Sequence, residues 1–194
     1  MAKHELKGLM IYFSLGVTRI NLPLMSLVDY RGFRLVAMCL LPVDRSTLIY
    51  GTADGGRTIE NKNETFSDIM KQTAESLNLK AHECGAVRNA TKVLHSAADI
   101  EGHLGFDGKF YLLDFSRTMP PVRPDARVLN GHLYQLFRRE FVTLYPVPLC
   151  SDAYSGFIMW DKKKNAHNIE IDNATDYLFY VVIPNCARDL LEVR

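Results

Sequence analysis

An α+β fold is expected for this 194-residue chain, and three observations carry that expectation. Runs rich in β-branched and aromatic residues, bounded by turn residues, fill the first two thirds. Apolar residues at helical spacing dominate the last third, and no internal repeat interrupts the order. The sheet is expected to be mixed or antiparallel with hairpins. A hydrophobic content of 47% supplies a sizeable core, and residues 1–194 are read as one domain.

Leu24 to Val28 and Phe33 to Leu41 read as two strands of a hairpin. Between them, Asp29-Tyr30-Arg31-Gly32 offers an Asp side chain to close a turn and a Gly for the left-handed position. The second run is apolar on both faces, Leu35, Ala37 and Cys39 against Val36, Met38 and Leu40, which predicts a central strand. Leu48 to Tyr50 is a further short strand before the glycine-rich turn Gly51 to Gly56.

From Glu64 to Asn78, Phe66, Ile69, Met70 and Leu77 recur at helical spacing, with Asn63 or Thr65 as cap. Val93-Leu94 and Ile100 suggest short strands. Beyond Pro120, Pro121 and Pro124, Asn130 is expected to cap a helix burying Leu133, Leu136, Phe137 and Phe141. Ser151 and Asp152 are expected to start a helical piece carrying Phe157, Met159 and Trp160. Ile171, Thr175, Leu178 and Val182 suit a longer helix, and Pro184 either kinks it or opens a last one.

A formal net charge of +1 excludes a broad attraction for nucleic acid or anionic lipid, so such contacts need a local patch. Cys39, Cys84, Cys150 and Cys186 are scattered without zinc-type spacing and read as reduced, mostly buried thiols. The charged start Lys3-His4-Glu5-Leu6-Lys7 lacks the form of a secretory signal, and no run approaches the ~18 apolar residues of a membrane span. A cytosolic protein without membrane insertion is expected.

Gly102 to Pro121 is the most informative stretch. Asp107-Gly108 is expected to form a two-residue hairpin turn into the core strand Phe110 to Leu113. Asp114 then places a carboxylate at the end of an apolar run, where pairing with Arg117 is the expected structural role.

This stretch is similar to a Gly-x-x-Gly-x-Asp-Gly-x-x-Tyr-x-Leu-Asp-x-x-Arg-x-x-Pro-Pro pattern of the clustered mitochondria (Clu) family. Leu27 to Ala37, Ile49-Tyr50-Gly51 with Asp54 to Thr58, Leu136 to Val142 and Leu149 to Ala153 resemble further phrases of that family's central domain. The resemblance spans roughly residues 4 to 191. It implies a cytosolic role in mitochondrial distribution or biogenesis, through transcripts for mitochondrial proteins and contact with the translation machinery. The ubiquitin-like portion and tetratricopeptide array that usually flank this domain are not read in these residues.

The segment Asp107 to Phe115 is also similar to the strand of kinase-like phosphotransferases that delivers a metal-binding Asp. On that alternative, a distant kinase-like scaffold uses ATP and Mg, with Asp99, His103 and Asp114 as catalytic candidates. The chain lacks the glycine-rich loop, the Val-Ala-x-Lys strand and the His-Arg-Asp loop, so a non-catalytic binding module without cofactor is the preferred expectation.

Lys162, Lys163 and Lys164, together with Arg138 and Arg139, are candidates for RNA or ribonucleoprotein contact, with Tyr30, Phe33 or Tyr154 stacking bases. The Tyr30/Arg31 hairpin and the Arg117 to Pro121 exit, with Asp114, are candidates for docking a protein. His132 and His167 lack ligand spacing and read as surface or capping residues.

Overall fold

Helix α1 (Ala2–Ser14) precedes every strand and is absent from the sequence-based expectation. Its Leu9 and Tyr12 are buried, and Leu6 packs against the same cluster. A Cβ on Gly8 would meet the Phe115 carbonyl oxygen at 2.0 Å, so glycine is what lets α1 lie directly on the 115–118 loop. The computed structural model describes residues 2–192, and its arrangement is α+β, with antiparallel hairpins first and helices last.

Strands β1 (Met25–Tyr30) and β2 (Phe33–Met38) form the expected hairpin. Arg31 and Gly32 both take positive φ, 47° and 84°, the primed turn that matches strand twist. The Asp29 side chain does not close this turn; it pairs across the ribbon with Arg34 at 2.7 Å. The expected central placement of β2 is overturned: the hairpin is a separate two-stranded sheet, and every β2 residue is exposed. Its two-faced apolar pattern finds no covering layer among the described residues.

The main sheet has the order β4-β3-β7-β8, from β3 (Leu48–Gly51), β4 (Glu60–Asn61), β7 (Glu101–Leu104) and β8 (Phe110–Leu113). Gly108 alone of the Asp107-Gly108 pair has positive φ, so the β7–β8 connection is not the two-residue turn expected. Gly108 N–H donates to Gly105 O and Gly105 N–H to Lys109 O, both at 2.9 Å, the hydrogen bonds of a longer, bulged loop. Helix α2 (Glu64–Ser76) covers the sheet, with Asn63 capping it through Phe66 N–H at 2.9 Å. The buried Phe66 ring lies 5.5 Å from Tyr50 and 5.3 Å from Phe110.

A small third sheet, β5 (His82–Cys84) with β6 (Lys92–Leu94), follows α2. Ile100 precedes β7 rather than forming a strand of its own. The helix expected after Asn130 is divided: a single 3₁₀ turn at Gly131–Leu133, an extended stretch, then α3 (Arg139–Leu144). Asn130 takes φ 55° and caps nothing with its side chain. Residues 151–154 form turns, and Ser155 caps a 3₁₀ turn at Gly156–Ile158.

Helix α4 (Lys164–Tyr177) continues through a π-turn at Leu178–Val182 into α5 (Ile183–Glu192). Pro184 opens α5 directly after the π-turn, inside this continuous helix, where the π-turn interrupts the regular α-helical ladder. One apolar cluster joins α1, the main sheet and α2, while a second joins the end of α2, α3, α4 and Leu149 to Ile158. The segment from Phe115 to Val122 contributes to both.

Candidate functional site

Arg117 lies where the two clusters meet, and it is 4% exposed. Its Nε donates to Asp99 Oδ2 at 2.7 Å and its Nη2 to Asp99 Oδ1 at 3.1 Å and to Asp152 Oδ1 at 2.5 Å. The expected partner, Asp114, is not among these; Arg117 instead spans Asp99 and Asp152. Being buried, Arg117 is also not the docking residue expected at this exit. Its guanidinium stacks over Phe157, 4.8 Å from the ring centroid.

Asp152 is fully buried, and its Oδ2 accepts from His82 Nε2 and from Ala98 N–H, both at 2.8 Å. His82 Nδ1 faces the Lys80 carbonyl oxygen at 2.9 Å. Both ring nitrogens therefore face acceptors, and the ring satisfies them only as the imidazolium. Burial disfavours that charge, but the Asp152 carboxylate that accepts from Nε2 is the anion beside the ring, and His82 is held well above its ordinary pKa. For Asp152, burial is likewise overcome by Arg117 and His82, and the carboxyl stays below its usual range. Charge then alternates along Asp99, Arg117, Asp152 and His82.

His82, Cys84 and Asp152 also place one metal-ligand atom each within 4.8 Å of one another. The donor set is already occupied by protons and internal hydrogen bonds. Cys84 Sγ lies 3.6 Å from Asp152 Oδ2, and burial pushes its thiol up to about 12. The arrangement acts as a clamp that joins β5, the 115–122 segment and the 149–155 turns.

Asp99 and His103 lie close enough to act electrostatically on Asp114, but each is engaged by other residues. His103 is buried, its ring spanning Thr47 Oγ1 at 3.0 Å and Glu101 Oε2 at 3.3 Å. Asp99 is tied to Arg117. Asp114, with φ 60° at the end of β8, has no ion pair among the described residues. Burial, Glu101, Glu5 and Asp99 push its carboxyl up to about 6, although the side chain reaches solvent. Glu5 accepts from Phe115 N–H at 2.9 Å and so fixes this carboxylate patch beside α1.

A groove of about 960 Å³ lies between α1 and residues 134–140. None of Asp99, His103 and Asp114 lines it. Phe115, Met119 and Val122 form its floor, and Met10, Leu27 and Leu136 its apolar walls. Lys3, Lys7, Arg138 and Arg139 stand on its rim, and Arg139 donates to Ser14 Oγ across one end. Arg138 and Arg139, two of the candidate binding residues, thus line this groove. Lys3, Lys7 and Met10 were missed by sequence reasoning, although spacings of four and three mark one face of a helix.

Lys162 and Lys163 are exposed and Lys164 half-buried, but they do not join the arginines. Tyr177 at the far end of α4 is what meets Phe141, at 6.4 Å between rings. Lys164 at the near end is about 20 Å away along the helix axis. Tyr154 is half-buried, its hydroxyl donating to Asp172 at 2.5 Å, so it offers no free stacking face. Tyr30, Phe33 and Arg31 are exposed at the hairpin tip, with Arg31 over the Tyr30 ring. His132 is half-buried, whereas His167, expected at the surface or as a cap, is 2% exposed and faces Asp161 at 3.2 Å. All four cysteines are free; Cys84 and Cys150 are buried and Cys186 is exposed.

Comparison with known proteins places this architecture. The sequence pattern of the family described as Clustered mitochondria matches residues 1–123. The chain belongs to that family. It is 30% identical over 125 residues to the Clustered mitochondria protein homolog of Brugia malayi, covering 61% of this chain and 8% of that protein. With the Caenorhabditis elegans homolog it shares 27% identity over 182 residues, 82% of this chain and 14% of that protein. Protein clueless of Drosophila ananassae is 27% identical over 124 residues, covering 61% of this chain and 8% of its own length. The chain thus spans between 8% and 14% of these Clu-family relatives. No solved structure matches it. Among the described residues, no helix is long and apolar enough to cross a membrane.

Proposed function

We propose that this Clu-family chain is a non-catalytic binding module serving the distribution of mitochondria in the cell, and that the α1 groove holds its partner. Membership of a family whose relatives carry the name Clustered mitochondria protein supports the cellular role. The groove is the observation that carries the molecular one. It combines an apolar floor with a cationic rim and excludes all three catalytic candidates. Asp99 and His103 are engaged by Arg117 and by Thr47 and Glu101, so neither of these two candidates stands free as a base beside Asp114.

Contact with ribonucleoprotein or translation machinery, on this reading, runs through a protein component. The lysine triplet and the arginine pair lie on separate surfaces, and a divided basic patch suits phosphate tracking poorly. Work in the cytoplasm follows from the same role.

The test compares Leu136→Arg, which puts a charge into the groove wall, with Asp114→Asn in cells whose mitochondria are imaged. Leu136→Arg is expected to redistribute mitochondria while Asp114→Asn leaves them as in wild type. The opposite pattern, or a rise in melting temperature with Mg and ATP that Asp114→Asn abolishes, overturns the reading in favour of a nucleotide-using enzyme.

A further inference from the structure

The cations of the groove are not spread evenly. Lys3 and Lys7 occupy the first two turns of α1, and neither forms an ion pair among the described residues. Arg139 meets Ser14 at the last turn, and Arg138 stands beside it, exposed and paired only with the equally exposed Glu140 at 3.2 Å. Such a surface pair exchanges readily for another carboxylate. From Lys3 to Ser14 the α1 axis advances about 17 Å. Between the two cationic ends the lining is apolar: Met10 is 56% exposed, with Leu27 and Leu136 opposite.

A helix lying along α1 matches this layout, because side chains four, seven and eight positions apart form one stripe and positions eleven apart return to the same face. RNA matches it less well. Phe115 and Phe137 lie buried under the floor, so Tyr134, 65% exposed, and the half-buried His4 imidazole are the aromatic rings among the described lining residues that are open to stack on a base.

Resting on the binding-module reading, we infer that the groove receives an acidic amphipathic helix of about three turns from a partner protein. The occupant's apolar stripe lies on Met10, Leu27 and Leu136. Its carboxylates meet Lys3 and Lys7 at one end and Arg138 and Arg139 at the other.

The probe is a labelled synthetic peptide of about 15 residues, with Leu at three stripe positions and Glu at both ends of the stripe. Its controls are the same peptide with Lys for Glu, a scrambled peptide of equal composition, and single-stranded RNA of about 20 nucleotides. Fluorescence anisotropy on the full chain is expected to show the acidic peptide bound at least about tenfold more tightly than the basic one, with affinity falling as salt rises. The triple variant Lys3→Glu, Lys7→Glu, Arg138→Glu changes only exposed residues, and it is expected to invert that preference. The inference is overturned by equal affinity for acidic and basic peptides, by equal affinity for the scrambled peptide, by no peptide binding, or by tighter RNA binding. If it falls while Leu136→Arg still redistributes mitochondria, the binding-module reading stands and only the occupant is wrong.

Discussion

Two charged regions of the molecule share Asp99 and are built on opposite principles. On one side, Asp99, Arg117, Asp152 and His82 alternate in sign, and each carboxylate oxygen in the chain has a donor within hydrogen-bond distance. On the other, Asp99, Glu101, Glu5 and Asp114 are of one sign, and Asp114 ends with a raised pKa and no cation. Alternation lets the first region be buried between the two apolar clusters. Repetition keeps the second at the surface, where water screens it. The difference separates what holds the groove's floor in place from what remains available to respond to solution conditions.

The largest effect is expected from breaking the alternation. Arg117→Met removes one of the two cations on buried Asp152 and strips Oδ1 of its charged donor, leaving only His82, which costs about 3 kcal/mol of stability in urea denaturation. Adding Asp152→Leu to that variant is expected to recover part of the loss, because the under-paired carboxylate is then gone and His82 can stay neutral with Nδ1–H on the Lys80 carbonyl. A single variant as stable as wild type would show that the clamp is incidental to the fold.

A smaller effect comes from pH. The Asp152 pKa is lowered, so its contribution is present above the ordinary value of 3.8 and is lost as pH falls through the folded value. For His82 the pKa is raised, so its contribution is complete below 6.5 and is lost as pH climbs through the folded value. Urea midpoints are therefore expected to be highest from about pH 4 to about pH 6.5 and to decline on either side, the alkaline decline running from 6.5 up through the folded His82 value. His82→Gln flattens the alkaline limb; equal alkaline slopes in variant and wild type would mean a neutral ring.

Local signals were legible in the sequence, and distant pairings were not. The primed turn at Arg31-Gly32, the Asn63 cap and the strand Phe110 to Leu113 follow from residues within a few positions of one another. The burial assigned to β2 failed for a physical reason. Apolar residues on both faces record an affinity for cover, and the described chain supplies none. Helix α1 was hidden by its lysines, although Leu6, Leu9 and Tyr12 have helical spacing. Arg117 was assigned the nearest carboxylate, Asp114, three residues away. In the fold Asp114 turns aside at φ 60°, and Asp152 arrives from 35 positions on. The alternation of His82 with Cys84 on β5 was the one local sign of that buried site.

The smallest expected effect sharpens the contrast from the same-sign side. Asp114 has an unfolded value near 3.8 and a folded value of about 6. Between these values the native state holds more protons than the unfolded chain, so stability falls as pH rises through that window, and the penalty is complete above it. Asn removes the charge and tolerates the left-handed backbone that this position requires. Asp114→Asn is therefore expected to stabilise at pH 7.5, by less than about 1 kcal/mol because the side chain is solvent-screened, and to match wild type at pH 4. A variant that is less stable at pH 7.5 would mean that the Asp114 charge has a favourable partner in solution. The repeated sign of Glu5, Asp99, Glu101 and Asp114 would then be a cation site rather than an unrelieved repulsion.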